Sequence, residues 1–403
     1  MDLDRAALAS RNKALVERRH RPGVREWVRR ALLEALARLP VPPAARARPE
    51  SILLIRPDHV GDVLFVTPAV RALSAAAPDA EITALVGPWS AGVLAPFPQI
   101  AHLVTLRFPG FTRQRRGAPT APYTLAWRAA RNLRALGVGA AVVMRPDHWW
   151  GAMLAHLAGI PVRAGYDLPG VAPFLTKRLP FVPGAHSVRL NLNLVERWTG
   201  PVADADAPLA YPVLDEDRAF IDAYLAGQGC TLGAPIVVIH PGSGSAYKNW
   251  LPERWASVAD ALAARLGARM VFTGSAREAV QARAIAEQMQ HRPMLAAGDT
   301  TIGQLAALCA RASLALGPDS GPLHLAVAVG TPTVHLYGPA DPARYGPWGP
   351  AQRHIVVQSR AMACAPCGVL DWSGDDPAHH PCVRDITVAQ ALAAAHAALA
   401  AAP

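Results

Sequence analysis

No window of the chain runs for about 18 apolar residues without interruption, so a membrane-spanning helix is not expected. The first residues also lack an apolar signal core. Asp2 and Asp4 lead into an arginine-rich run, which argues for a cytoplasmic protein. Cysteine is scarce, five in 403 residues, and an odd count in a chain this long does not make a disulfide framework. Charged residues make up only 17% and hydrophobic ones 51%, which excludes a disordered chain. Acidic residues are the minority charge, 30 against 40 Lys and Arg, and the imbalance is local. Residues 1–50 carry twelve Lys or Arg against six Asp or Glu, so +6 of the net +10 lies there. A basic surface favours nucleic acid, anionic lipid or a phosphorylated substrate. Nucleic acid is not the expected partner, because this stretch interleaves no aromatic beyond Trp27 and matches no known module.

What is present is strand–helix alternation, at a length that suits two α/β domains. Residues 1–50 read as a basic helical extension and linker. Within it Val24, Trp27, Val28, Ala31, Leu32, Ala35, Leu36 and Leu39 form one apolar stripe, with Arg25, Arg29, Arg30 and Arg38 off it. Such a helix can lie on an anionic membrane surface. Packing on its own domain with a solvated arginine face is the preferred reading. Residues 51–205 then alternate as a Rossmann-like domain through SILLIRP, EITALVG, HLVTL and AAVVMRP. The basic loop at 107–122 carries Arg113, Arg115 and Arg116, which could meet an anionic substrate or simply be solvated. Residues 206–232 read as a hinge. A second Rossmann-like series fills 233–360, and 361–403 is a cysteine-containing segment ending in a helix after Thr387. Two such halves predict an α/β architecture with a cleft between the domains.

Three polar turns stand at the ends of apolar strands, the edge where open α/β sheets bind ligands. The first, Pro57-Asp58-His59-Val60-Gly61-Asp62, brings a carboxylate to the start of a helix. There Asp62 could deprotonate a hydroxyl, or only cap the helix. The second runs from His240 through Ser243 and Gly244 to Lys248, small residues followed by a cation, which suits a phosphate. The third, Gly317-Pro318-Asp319-Ser320-Gly321, precedes a helix that starts near Pro322 and carries His324 in its first turn. Such a helix start presents unpaired N–H groups to an anion. After a further strand, Glu278 could take ribose hydroxyls or serve as a first-turn helix acid.

These blocks carry a resemblance. ILLIRPDHVGDVLFVTPAVRAL, VVIHPGSGSAYKNWLPERWASVADAL with VFTGS, and LGPDSGPLHLAVAVGTPTVHLYGPADPARYGP are together similar to the heptosyltransferases of glycosyltransferase family 9, over about residues 51–390. The resemblance implies a GT-B fold, two Rossmann-like domains facing a central cleft. It places the acceptor on the N-terminal domain and ADP-heptose, a substrate, on the C-terminal one. It also implies inversion at the anomeric carbon with no cofactor and no catalytic metal. Carried over by position, Asp62 matches the catalytic base and Lys248 the lysine that neutralises the diphosphate. Ser243 and Gly244 match two hydroxyl-bearing positions, although Gly244 keeps only backbone donors. Glu278 matches the ribose-side acid, and Thr300 a nucleotide-side position. Asp319, Ser320, Gly321 and His324 match the D-[TS]-G-x-x-H segment.

The implied activity is transfer of heptose to a lipid-linked acceptor of lipopolysaccharide core type, by a protein that is cytoplasmic or peripheral on the inner membrane. PDHVGD differs from the S-S-x-G-D form of the best-known lipopolysaccharide enzymes, which leaves a protein such as an autotransporter, or another glycan, as the alternative acceptor. A non-catalytic nucleotide-sugar-binding protein is the remote alternative. Cys364, Cys367 and Cys382, with His379 between, could make a metal site, as in some autotransporter-modifying relatives. Reduced thiols in a packed segment are the preferred reading.

Overall fold

The structure is a computed structural model that describes residues 4–20, 23–44, 47–112, 118, 120–230, 233–359, 362–372 and 374–401. The chain divides into two compact units, residues 22–207 and residues 208–403 joined by 1–21. Among the described residues no helix is long and apolar enough to cross a membrane. Arg113, Arg115 and Arg116 lie outside the described residues.

The first unit holds β1 (Arg48–Arg56), β2 (Glu81–Val86), β3 (His102–Thr105), β4 (Val138–Val143), β5 (Val162–Tyr166) and β6 (Lys177–Leu179). The second holds β7 (Ile236–Ile239), β8 (Arg269–Phe272), β9 (Met294–Leu295), β10 (Leu314–Pro318), β11 (Thr333–Tyr337) and β12 (His354–Gln358). Their orders are β3-β2-β1-β4-β5-β6 and β12-β11-β10-β7-β8-β9, and neighbours pair in parallel. Each is the doubly wound Rossmann-like order, with one point where the winding reverses, β1 beside β4 and β7 beside β10. The sequence dictates this by burial. Central strands such as β1, covered by helices on both faces, read as continuous apolar runs and not as alternating ones. Along β7 Ile236 and Val238 enter one core while Val237 and Ile239 enter another on the opposite face.

Three segments depart from the sequence reading. The N-terminal extension is divided between the units. Helix Arg5–His20 is tied to the second by Arg5 to Asp385 and Arg11 to Asp375, at 3.0 and 2.8 Å. Helix Val24–Ala37 belongs to the first. That helix seats itself through Leu33, which is buried, with Leu36 and Ala37 against the same core. Most of the expected apolar stripe, Val24, Trp27, Val28 and Leu32, is exposed instead. The third departure is the segment 206–232, read as a hinge, which contains helix Asp215–Gly227. Ile221 and Leu225, four residues apart, place one side of that helix in the second unit's core.

Candidate functional site

In the first unit the turn after β1 is built around a buried arginine. Arg56 is only 4% exposed, and its guanidinium has a partner on every side. Nη1 donates to the Met144 carbonyl at 2.8 Å and to Asn191 Oδ1 at 3.3 Å. Nε lies 2.7 Å from Asp58 Oδ2, and Nη2 donates to Asp62 Oδ1 at 3.2 Å. Arg145, just past the end of β4, pairs with the other oxygen of Asp58 and with Asp147 at 2.6 Å. Burial pushes the Asp58 carboxyl up, but the charges of Arg56 and Arg145 outweigh it and hold the group below the usual range. The two carboxylates therefore differ in station. Asp58 is sealed between two guanidiniums, while the Asp62 side chain is 35% exposed on the short helix Val60–Leu64. Only the latter can reach a substrate. His148 is packed against Phe108, Phe111 and Trp150, and burial lowers its pKa to about 3, so it stays neutral at physiological pH.

The cluster makes a prediction about stability. Arg56→Met removes the partner of a buried carboxylate and is expected to lower unfolding free energy by about 3–5 kcal/mol. Urea denaturation of the purified variant measures it, and a loss within about 1 kcal/mol would mean that Arg145 alone satisfies Asp58.

In the second unit β7 and β10 diverge at the winding reversal, and the residues expected there converge. Lys248, on the single turn Ala246–Lys248, puts Nζ 3.0 Å from Asp319 Oδ2 and 2.5 Å from the Asp319 carbonyl. His324 Nε2 approaches Asp319 Oδ1 at 3.5 Å. Burial would raise the Asp319 carboxyl, yet Lys248's charge and the His324 hydrogen bond win and hold it well below the usual carboxylate range. Asp319 in turn helps burial to push the Tyr337 phenol far up, so that hydroxyl stays protonated and donates to the Tyr345 carbonyl at 2.6 Å. Ser320 caps and Gly321 begins the helix Gly321–Ala328. Pro322 has no N–H, and those of Leu323 and His324 bond the Ser320 carbonyl at 3.2 and 3.4 Å, so the helix start offers the Gly321 N–H. The Ser320 hydroxyl is buried with no hydrogen-bond partner among the described residues. An unsatisfied buried donor beside a helix start is a place where a ligand oxygen lowers the energy.

Glu278 caps the helix Ala279–Ala286 that follows β8. Its Oε2 accepts from the Ser275 N–H at 2.7 Å and hydroxyl at 2.8 Å. A Cβ on Gly242 would come within 2.4 Å of Glu278 Oε1, and one on Gly274 within 3.0 Å of its Cβ. Both positions need glycine for the carboxylate to lie against the turn after β7. Ser243 is engaged within that turn, donating at 2.7 Å to the Ser245 carbonyl or to Asn249 Oδ1. Gly244 is exposed, so it offers backbone. Thr300 is partly exposed in the turn after β9, where Gly298 N–H bonds the Gly274 carbonyl at 2.8 Å and so holds that turn against Glu278's. The second unit thus gathers Lys248, Glu278, Thr300, Ser320, Gly321 and His324 along one sheet edge, and Asp62 holds the equivalent position in the first.

The cysteine segment is arranged otherwise. Cys364, Cys367 and Cys382 line one small cavity with Asn12, Trp372 and His380. His379, the candidate fourth ligand of the alternative reading, binds Asp375 through Nδ1 at 2.9 Å. Burial pushes the Cys382 thiol up to about 12. Among the described residues no group of three or more His, Cys, Asp or Glu is placed to hold a metal ion.

Sequence reasoning missed Arg56, Asp58, Arg145 and Tyr337. Charged residues directly after a buried strand were the available signal, but the partners that complete the cluster lie 87, 88 and 135 residues away in the chain.

Comparison with known proteins supplies further findings. The model of glycosyltransferase family 9 (heptosyltransferase) matches residues 126–368. The lipopolysaccharide core heptosyltransferase OpsX of Haemophilus influenzae is 26% identical over 321 residues, 77% of this chain and 85% of that protein. A solved family 9 glycosyl transferase from Veillonella parvula superposes with a TM-score of 0.74 at 26% identity, covering 87% of this chain and 98% of that one. The Escherichia coli heptosyltransferase WaaC, solved with ADP, shares the fold at a TM-score of 0.61 and 20% identity, over 78% of this chain and 95% of that one.

Proposed function

The chain belongs to glycosyltransferase family 9, the heptosyltransferases, and on that premise we propose that it transfers heptose from ADP-heptose to a lipopolysaccharide core-type acceptor with inversion. It is a glycosyltransferase of the α/β, GT-B fold class expected from the sequence. One observation carries the finer reading. A lysine is held by a buried carboxylate at the winding reversal of the second unit, beside a helix start with an unsatisfied hydroxyl. That arrangement suits a diphosphate.

The chemistry follows from the stations of the side chains. Asp62 takes the proton of an acceptor hydroxyl, whose oxygen attacks the anomeric carbon of the donor from the face opposite the diphosphate. The bond from that carbon to the diphosphate oxygen breaks, and ADP leaves with the electron pair. Lys248 and the Gly321 N–H stabilise the growing negative charge, fixed in place before the reaction begins. Asp319 keeps Lys248 aimed, and His324 keeps Asp319 aimed. Glu278, held open by two glycines, is the acceptor for ribose hydroxyls.

The acceptor is tested by incubating the protein and ADP-heptose with truncated lipopolysaccharide cores, and separately with unglycosylated autotransporter passenger protein. Mass spectrometry of each acceptor should show a heptosyl addition on the lipopolysaccharide core. Addition only to the protein would replace the acceptor while keeping the donor.

A further inference from the structure

We propose that the outward face of helix Val24–Ala37 docks the protein on an anionic lipid surface. The helix is amphipathic in an inverted sense. It is seated on its unit by Leu33, 1% exposed, and by Leu36 and Ala37 at the core margin. The opposite side carries Val24, Trp27 and Val28, exposed by 81%, 74% and 62%, with Leu32 and Leu39 continuing the row. A helix that turns its larger apolar stripe to water costs free energy for every side chain left there, and a contiguous exposed stripe marks a contact surface.

Charge selects the partner. Arg29, Arg30 and Arg38 are exposed beside and beyond the stripe. Against them stand two acids of the same helix, Glu26, which pairs with Arg30 at 3.8 Å, and the exposed Glu34, so the face keeps an excess of positive charge. Arg29 also lies over the Trp149 ring at 5.9 Å, and Trp149 meets Tyr123 of helix Ala121–Ala135 at 6.2 Å. One turn on, along the same face of that helix, Trp127 is 60% exposed under Arg131, at 5.6 Å. Tryptophan and aliphatic residues between arginines suit the boundary between acyl chains and anionic headgroups, where rings and guanidiniums both find partners. A second copy of the chain is the poorer fit, since the face keeps an excess of arginine over Glu26 and Glu34 and would meet the same excess in its copy.

The surface is narrower than the basic N-terminus as a whole. Helix Arg5–His20 turns Arg5 and Arg11 to Asp385 and Asp375, and Arg19 to the Asp371 carbonyl and the Trp372 ring. Those three cations are engaged within their own unit, and the exposed apolar row that would enter the lipid lies on residues 24–39. The proposal does not depend on the transferase reading, because it is measured with neither donor nor acceptor present.

The test is flotation of the full chain with phosphatidylcholine vesicles containing about one-third phosphatidylglycerol, beside pure phosphatidylcholine vesicles. Wild type should float with the anionic vesicles at low salt and lose most of that binding near 1 M salt, where charges are screened within about 3 Å. Trp27→Ser with Val28→Ser, and separately Arg30→Glu with Arg38→Glu, should each reduce anionic-vesicle binding about tenfold or more. All four positions are exposed, so unchanged circular dichroism and melting temperature should accompany the loss. Wild type that stays with the protein fraction, or a Trp27/Val28 variant that floats as well as wild type, overturns the proposal. Concentration-dependent dimerisation that the Trp27/Val28 variant abolishes, without vesicle binding, assigns the face to a second copy and overturns it too.

Discussion

Asp62→Asn should lower kcat by about 10³-fold, within the range that a positioned general base contributes, while ADP binding stays within about twofold of wild type. The asparagine oxygen can still accept the Arg56 hydrogen bond, so the turn after β1 keeps its shape and only the basic lone pair is lost. The expected kinetic signature is a fall in kcat and kcat/KM together, since the proton is taken only as the bond forms. Steady-state transfer assays and calorimetric titration with ADP separate the two effects. A variant within tenfold of wild type would place the base elsewhere. The neighbouring carboxylate is the control. Asp58 is sealed between Arg56 and Arg145, so Asp58→Asn should be lost to instability before its effect on catalysis can be read.

Lys248→Met acts on both stability and chemistry. It leaves Asp319 buried with its main counter-charge gone, and unfolding free energy near pH 7 should fall by about 3–5 kcal/mol. The pH dependence fixes the cause. In the wild type the folded-state pKa of Asp319 is depressed, so its contribution is present above the unfolded value of about 3.9 and is lost as pH falls through the folded one. With Lys248 gone, burial raises the variant's own Asp319 carboxyl. The gap between wild type and variant should therefore be full where both folded forms are ionised and shrink steadily as pH falls through the variant's pKa toward the wild-type one. A gap that stays constant with pH would trace the loss to packing instead. In whatever fraction remains folded, kcat/KM for the donor should drop by about 10²–10³, the scale of one preorganised charge-stabilising donor. Denaturation series at several pH values, followed by kinetics at a temperature where the variant is folded, check both parts.

The sequence marks strand ends well because a parallel strand buried on both faces is an apolar run that stops abruptly. ILLIRPD and VVIHPG each show that stop, and Asp62 and Lys248 stand just beyond it. Asp319 is legible in the same way after LALGP. What the pattern cannot carry is which distant residue meets which. The guanidinium of Arg56 is completed by Met144 and Asn191, and Glu278 is accommodated by Gly242, none of them close in sequence. Helix Val24–Ala37 shows a second limit. Periodicity identifies an apolar side of a helix, but the chain buried Leu33 on the other side, a choice made by tertiary packing. Residues 206–232 fail for the converse reason. Their Pro and Asp content conceals two apolar residues, Ile221 and Leu225, that suffice to seat a short helix. His379 near three cysteines suggests a ligand set from spacing alone, whereas Asp375, four residues earlier, takes its ring.

The most direct test of the account is donor turnover. The protein is incubated with a lipopolysaccharide core acceptor and, in turn, ADP-heptose, UDP-glucose and GDP-mannose, and release of the nucleoside diphosphate is followed alongside acceptor mass. The account predicts acceptor-dependent release of ADP from ADP-heptose, matched by one heptosyl addition per ADP and slowed at least about a hundredfold in Lys248→Met and Asp62→Asn. Turnover of UDP-glucose or GDP-mannose with ADP-heptose left intact would contradict it.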